Sequence, residues 1–158
     1  MALVERHQRS DKITLVKSEI PLNYLYSAGR AGEKFLTEIR DNEKIVGTYC
    51  EACDITYVPP RIYCERCFER LEDSYREVPG RGTVESYTLS YENFDGTRKE
   101  DPTIVAMIMI DGTDGGLVHW LGEIDPEDVF IGLMVEAVYK PKEEREGSVL
   151  DIKYFKPL

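Results

Sequence analysis

The sequence predicts a mainly β protein in three parts: an N-terminal helical segment, a cysteine-paired ribbon and a small five-stranded barrel. Three observations predict it. Four cysteines stand in two Cys-x2-Cys pairs, Cys50/Cys53 and Cys64/Cys67. A helical apolar period is confined to the residues ahead of them. Beyond Pro79-Gly80-Arg81-Gly82 the chain falls into five strand-like segments separated by turn signals. The 158 residues, 42% hydrophobic and 10% aromatic, have the size and composition of a folding chain rather than a disordered one.

Residues 1–20 mix charges with isolated apolar positions and hold no sustained period, so they are expected to form an arm that orders against a partner. The start, Met1-Ala2-Leu3-Val4-Glu5-Arg6-His7-Gln8-Arg9, is charged and lacks an apolar signal core. The longest apolar run, Ile104 to Ile110, covers seven residues, against the roughly 20 that cross a bilayer as a helix. A cytoplasmic protein with no membrane partner and with reduced cysteines is expected.

Residues 21–44 form a helical lead-in. Leu22, Leu25/Tyr26, Gly29, Gly32, Phe35/Leu36 and Ile39 fit one stripe, with Ser27, Gly29 and Gly32 predicting a break into two short helices and Asp41-Asn42 a stop. Lys44 to Tyr49 then reads as a strand delivering the chain to Cys50.

The ribbon spans residues 45–78. Ten residues separate the two cysteine pairs, and Val58-Pro59-Pro60-Arg61 can turn the chain within that gap. Two such pairs supply four soft ligands for a tetrahedral zinc ion, held in a closed structural set. Iron, two disulfides or free thiols are the alternatives. A redox pair fits less well, because no adjacent helix pattern lowers a thiol pKa. The residue after each pair, often Gly where knuckle geometry brings backbone N–H groups to sulfur, is Asp54 in one case and Phe68 in the other. Asp tolerates a left-handed backbone and Phe does so poorly. Zinc with four thiolates carries net −2, which Arg61 and Arg66 can balance.

Residues 79–158 form the barrel. Its predicted strands are Thr83–Tyr91, Thr103–Ile110, Leu117–Ile124, Val135–Tyr139 and Ser148–Phe155. Ile104 to Ile110 is apolar at every position, which predicts a central strand covered on both faces. Asp111 to Gly116 predicts a tight hairpin, and Asp125 to Gly132 a single capped turn.

Catalysis lacks its usual parts. With every cysteine assigned to metal, no thiol nucleophile remains, and the two histidines are His7 in the arm and His119 within a strand pattern. His119 is expected to be structural. No phosphate loop, dinucleotide fingerprint or Gly-x-Ser-x-Gly elbow occurs. No catalytic residue is assigned.

The helical lead-in, Phe35-Leu36 to Gly47 before the first knuckle, Cys-x2-Cys, Pro59-Pro60-Arg61, Cys-x2-Cys and then Gly80-Arg81-Gly82-Thr83-Val84 carry a resemblance. The sequence resembles, from Pro21 onward, the small proteins that join a rubredoxin-like zinc ribbon to an OB-fold, formerly a domain of unknown function associated with acyl-CoA metabolism. The resemblance implies structural zinc and a partner subunit of thiolase-like enzymes, in a hetero-oligomer whose catalytic cysteine and histidines belong to the partner. It covers both members that bridge a thiolase to a hydroxymethylglutaryl-CoA synthase and members that complete a degradative thiolase. On that reading the lead-in and ribbon dock the enzyme, with Tyr57, Arg61 and Arg66 as candidates beside a CoA nucleotide.

The alternative is an OB-fold that binds single-stranded nucleic acid, with Tyr87, Tyr91, Phe94 and Trp120 as stacking platforms. Charge opposes it. The formal net charge is −10, and residues 83–158 hold 7 Lys+Arg against 16 Asp+Glu, where such sites need a basic groove.

Overall fold

The structure is a computed structural model and describes residues 24–93 and 95–158. The expected arm of residues 1–20, Leu22 and Phe94 lie outside the described residues. Among the described residues one α-helix, α1 (Gly29–Asn42), leads into eight strands: β1 (Ile45–Cys50), β2 (Ile55–Tyr57), β3 (Tyr75–Val78), β4 (Arg81–Glu92), β5 (Arg98–Ile110), β6 (Gly116–Trp120), β7 (Met134–Tyr139) and β8 (Ile152–Pro157). They form two antiparallel sheets, β2-β1-β3 and β6-β5-β4-β7-β8.

The helix does not break. Its first free N–H is met by the Ser27 hydroxyl, which accepts from Gly29 N at 3.1 Å, and Gly32 continues the helix rather than ending it. The buried positions Ala31, Phe35 and Ile39 repeat every four residues, as one helical face requires. Burying Phe35 and Ile39 contributes roughly 1.5–3 kcal/mol each, more than the roughly 1 kcal/mol that a helical glycine costs. Leu25 and Tyr26, placed on the same stripe from sequence, precede the helix and are exposed. Glu43 ends the helix in a left-handed conformation, φ 55°.

One apolar core joins helix, ribbon base and barrel: Phe35, Ile39, Ile45, Val46, Val58 and Val78 pack with the barrel's Val84, Ile108, Val135 and Phe155. The barrel's β5–β6 turn also bonds the ribbon. Asp114 N donates to the Thr56 carbonyl at 2.9 Å, and Thr56 N donates to the Asp114 carboxylate at 2.9 Å. Gly115 lies against Val58, where a Cβ would sit 2.3 Å from the Val58 carbonyl oxygen.

The five-stranded sheet curls into an OB-like barrel without a full closing ladder. Its ends meet at one bridge, Leu121 to Phe155, reinforced by Gly122 N donating to the Phe155 carbonyl at 2.9 Å. β5 lies inside the sheet between β4 and β6, yet it is covered on one face alone. Ile104, Ala106, Ile108 and Ile110 are buried, whereas Val105, Met107 and Met109 are half-buried on the outer face. A run of apolar residues therefore marked a partly bare face instead of a doubly covered strand. Residues 121–124, expected to extend β6, are not strand. At Asp125 to Gly132 the turn is a 3-10 turn over Pro126–Asp128 with no side-chain cap.

The start of the last predicted strand is also a 3-10 turn, Val149–Asp151, closed by a capping box between Ser148 and Asp151. The buried Asp151 carboxylate accepts from Glu146 N at 3.0 Å, Gly147 N at 2.7 Å and Ser148 N at 3.1 Å. Burial raises its pKa, but these three donors outweigh that effect and hold it below the usual aspartate value. Among the described residues no helix is long and apolar enough to cross a membrane.

Candidate metal centre

Two knuckles bring the cysteines together. Cys50 ends β1 and Cys53 sits in the turn before β2, so the first pair rides on a hairpin. The second pair is held by the Tyr63–Arg70 bridge, with Cys64 N donating to the Glu69 carbonyl at 2.9 Å and Phe68 N returning to the Cys64 carbonyl at 3.0 Å. The residue after each pair is left-handed, Asp54 at φ 53° and Phe68 at φ 61°. The knuckle geometry that glycine usually supplies is thus present without glycine. The intervening loop, with a cis Val58–Pro59 peptide, is fastened by the buried Thr48, whose hydroxyl accepts from Arg61 N at 2.9 Å and donates to the Arg61 carbonyl at 3.1 Å.

The four Sγ atoms lie within 4.8 Å of one another, and Cys50 and Cys67 approach to 3.4 Å without forming a disulfide. A tetrahedron with Zn–S near 2.3 Å has edges of about 3.8 Å, so the donor set fits zinc as the structure holds it. Four thiolates fill the coordination sphere and leave no position for water.

Tyr57, a candidate for CoA, is buried, and its hydroxyl donates to Cys64 Sγ at 3.2 Å. That bond pulls the Cys64 thiol down to about 6, whereas loss of water pushes Cys50 up to about 12. Arg61 pairs with Glu65 and lies 5.1 Å from the Tyr57 ring centroid. Arg66 is exposed and has no ion pair among the described residues. The three candidates therefore divide: one supports a ligand, one is neutralised, one is free. Sequence reasoning missed the groove beside the ribbon, about 530 Å³, in which the Arg76 guanidinium stacks 3.3 Å from the centroid of Tyr49.

His119 is buried and fully used. Its Nδ1 accepts from Trp120 N at 2.9 Å, which leaves Nε2–H to face the Val149 carbonyl at 3.3 Å. Burial holds its pKa below the ordinary value. The stacking candidates also separate. Tyr87 shares a cross-strand row with Ala106 and His119, while Trp120 shares the adjacent row with Val105 and Thr88, on the opposite face.

Residues 37–72 match the family model for the ChsH2 rubredoxin-like zinc ribbon domain, and residues 75–140 match that for the ChsH2 C-terminal OB-fold domain. A DUF35 domain-containing scaffold protein from Methanocaldococcus jannaschii is 29% identical over 122 residues, 76% of this chain and 86% of that protein. Among solved structures, a DUF35 family protein of unknown function from Sulfolobus solfataricus aligns with TM-score 0.60 and 31% identity, covering 70% of this chain and 78% of that one. The Ltp2-ChsH2(DUF35) aldolase aligns with TM-score 0.56 and 24% identity, over 79% and 93% of the two chains, a likeness of fold. The four cysteines form the structural zinc site of a rubredoxin-like ribbon.

Proposed function

Since the chain belongs to the DUF35 family, with a ChsH2-type zinc ribbon and OB-fold, we propose that it is a non-catalytic accessory subunit of an acyl-CoA thiolase complex, required for assembly or activity of the catalytic subunit. The observation that carries this reading is the closed cysteine set. All four thiols converge into a single four-ligand set; with zinc bound, it leaves no thiol nucleophile for acyl transfer from CoA and no open zinc position for hydrolysis. His119, with both ring nitrogens engaged, offers no general base. The catalytic cysteine and histidines then reside on the partner.

Two relatives support an accessory role. The Methanocaldococcus jannaschii protein is named as a scaffold. The aldolase that shares the fold pairs a ChsH2(DUF35) chain with Ltp2 in its name. A zinc-fixed ribbon suits docking, because the metal holds its shape without a large core. CoA contact, on this reading, falls to Arg66, which is exposed and has no ion pair among the described residues.

Co-expression with the proteins encoded beside this chain tests the assignment, recovery of a thiolase-like subunit being the expected outcome. A stable complex is expected, one zinc per chain, and Cys64→Ser should lose both zinc and the partner. Metal-free chain that still assembles would show the ribbon to be incidental to docking.

A further inference from the structure

The β4–β5 hairpin outgrows the barrel. β4 is 12 residues long, yet β7 pairs with Arg81–Thr83 alone, and the last bonds on that side are Val84 N to the Leu133 carbonyl and Gly132 N to the Val84 carbonyl. Beyond Val84 that edge of β4 has no backbone partner among the described residues. Irregularities at Val84/Ser86 and Ser90/Glu92 frame a regular stretch, Ser86 to Ser90, in register with Met107 to Thr103.

The direction of each free group follows from the ladder. Ile104 accepts from Leu121 N and so faces β6, which turns the backbones of Val105, Met107 and Thr103 toward β4. Their partners Ser86, Thr88 and Ser90 face inward to β5. The N–H and C=O groups of Tyr87 and Leu89 therefore point out of the sheet, two donors and two acceptors at strand spacing. Natural edges are blunted by lysine, proline or cover; Ser86–Ser90 has none of these, and Tyr87 is 39% exposed beside it.

Charge identifies the occupant. From Thr83 to Thr97 the chain has Glu85, Glu92 and Asp95 and no Lys or Arg; from Gly116 to Val135, the segment that includes the neighbouring Gly132–Leu133, it has Glu123, Asp125, Glu127 and Asp128 and again no Lys or Arg, while Glu136 just beyond is paired with Lys156. Arg98 and Lys99 lie on β5, the far strand of the hairpin, with Lys99 Nζ on the Thr103 hydroxyl at 2.8 Å. A second copy brings the same acids and a net charge of −10 to the same edge, so like charges oppose self-pairing.

We propose that the Ser86–Ser90 edge of β4 is a strand-addition site that takes an extended segment of another protein, apolar at alternate positions and basic between them. Its backbone completes the ladder at Tyr87 and Leu89. Its apolar side chains lie beside the Tyr87 and Leu89 side chains, and its basic ones answer the surrounding acids. The site stands whichever enzyme the ribbon docks.

The test is amide hydrogen exchange at Tyr87 and Leu89 in the zinc-loaded full chain, followed by NMR with a short peptide alternating Val and Lys. Both amides should exchange fast in the free chain and slow by roughly tenfold or more with this peptide. A Val/Glu peptide, and a Val/Lys peptide N-methylated along one edge, should leave them fast. The proposal is overturned if both amides are already slow in the dilute chain, because residues 1–23 or a second copy then cover the edge. It is equally overturned if Val/Glu protects as well as Val/Lys, or if millimolar Val/Lys changes nothing.

Discussion

The Tyr57 hydroxyl donates to Cys64 Sγ at 3.2 Å, so a tyrosine that the family resemblance puts forward as a CoA candidate steadies a metal ligand. A donor to a thiolate lowers its charge density and fixes its orientation, and such outer contacts are worth about 10- to 100-fold in metal affinity. Tyr57→Phe should therefore keep the fold and weaken zinc about tenfold in competition with a chelator. Unchanged affinity would assign Tyr57 to packing alone.

Phe68 holds a left-handed backbone at φ 61° while the residue is 78% exposed. A β-carbon in that region costs about 1 kcal/mol, and little apolar burial repays it. Phe68→Gly should raise the unfolding free energy of the zinc-loaded chain by about 1 kcal/mol in denaturant titration. Asp54→Gly should gain less, since Asp visits this region more readily and its carboxylate accepts from the Tyr49 hydroxyl at 2.8 Å.

Arg145 binds barrel to helix. Its side chain is 5% exposed; Nε donates to the Lys140 carbonyl at 2.6 Å, Nη1 to the Arg40 carbonyl at 3.1 Å at the helix end, and Nη2 pairs with Glu43. Arg145→Met strands these acceptors and should cost about 2–4 kcal/mol. Nearby Tyr139 offers the opposite case, a buried hydroxyl with no partner among the described residues. Tyr139→Phe should be neutral or stabilising by about 1 kcal/mol. Equal losses from both variants would contradict this division.

The ribbon was legible in the sequence because its chemistry is local: two Cys-x2-Cys pairs specify ligand count and metal without any distant contact. The barrel's strands were legible from alternation and turns, with ends off by a few residues. Contacts across the fold were not. Arg145 and Arg40 are 105 residues apart, and nothing local marks their meeting. Ser148-Val149-Leu150-Asp151 did carry a readable signal, the capping-box spacing, which accounts for a turn where β-branched residues suggested strand. At Gly32, burial of Phe35 and Ile39 overrode a local propensity to break.

Two buried groups make stability rise with pH in separate windows. His119 has its folded pKa below 6.5, so above pH 6.5 it is neutral in both states; as pH falls below 6.5 the unfolded chain takes up the proton first and stability declines toward the folded pKa. Asp151, held below 3.8, contributes stability present above pH 3.8 that is lost as pH falls through its folded value. Thermal unfolding at saturating zinc should show both declines. His119→Gln should remove the first, and Asp151→Ala should cost about 2–3 kcal/mol at pH 7 by orphaning three N–H groups.

The most direct measurement is thiolytic turnover of an acyl-CoA by the thiolase-like subunit that co-purifies with this chain, assayed alone, with this chain, and with Cys64→Ser, alongside this chain alone. Activity should appear only in the mixture with the zinc-loaded chain. Turnover by this chain alone, or equal activity of the thiolase-like subunit without it, would contradict an accessory role.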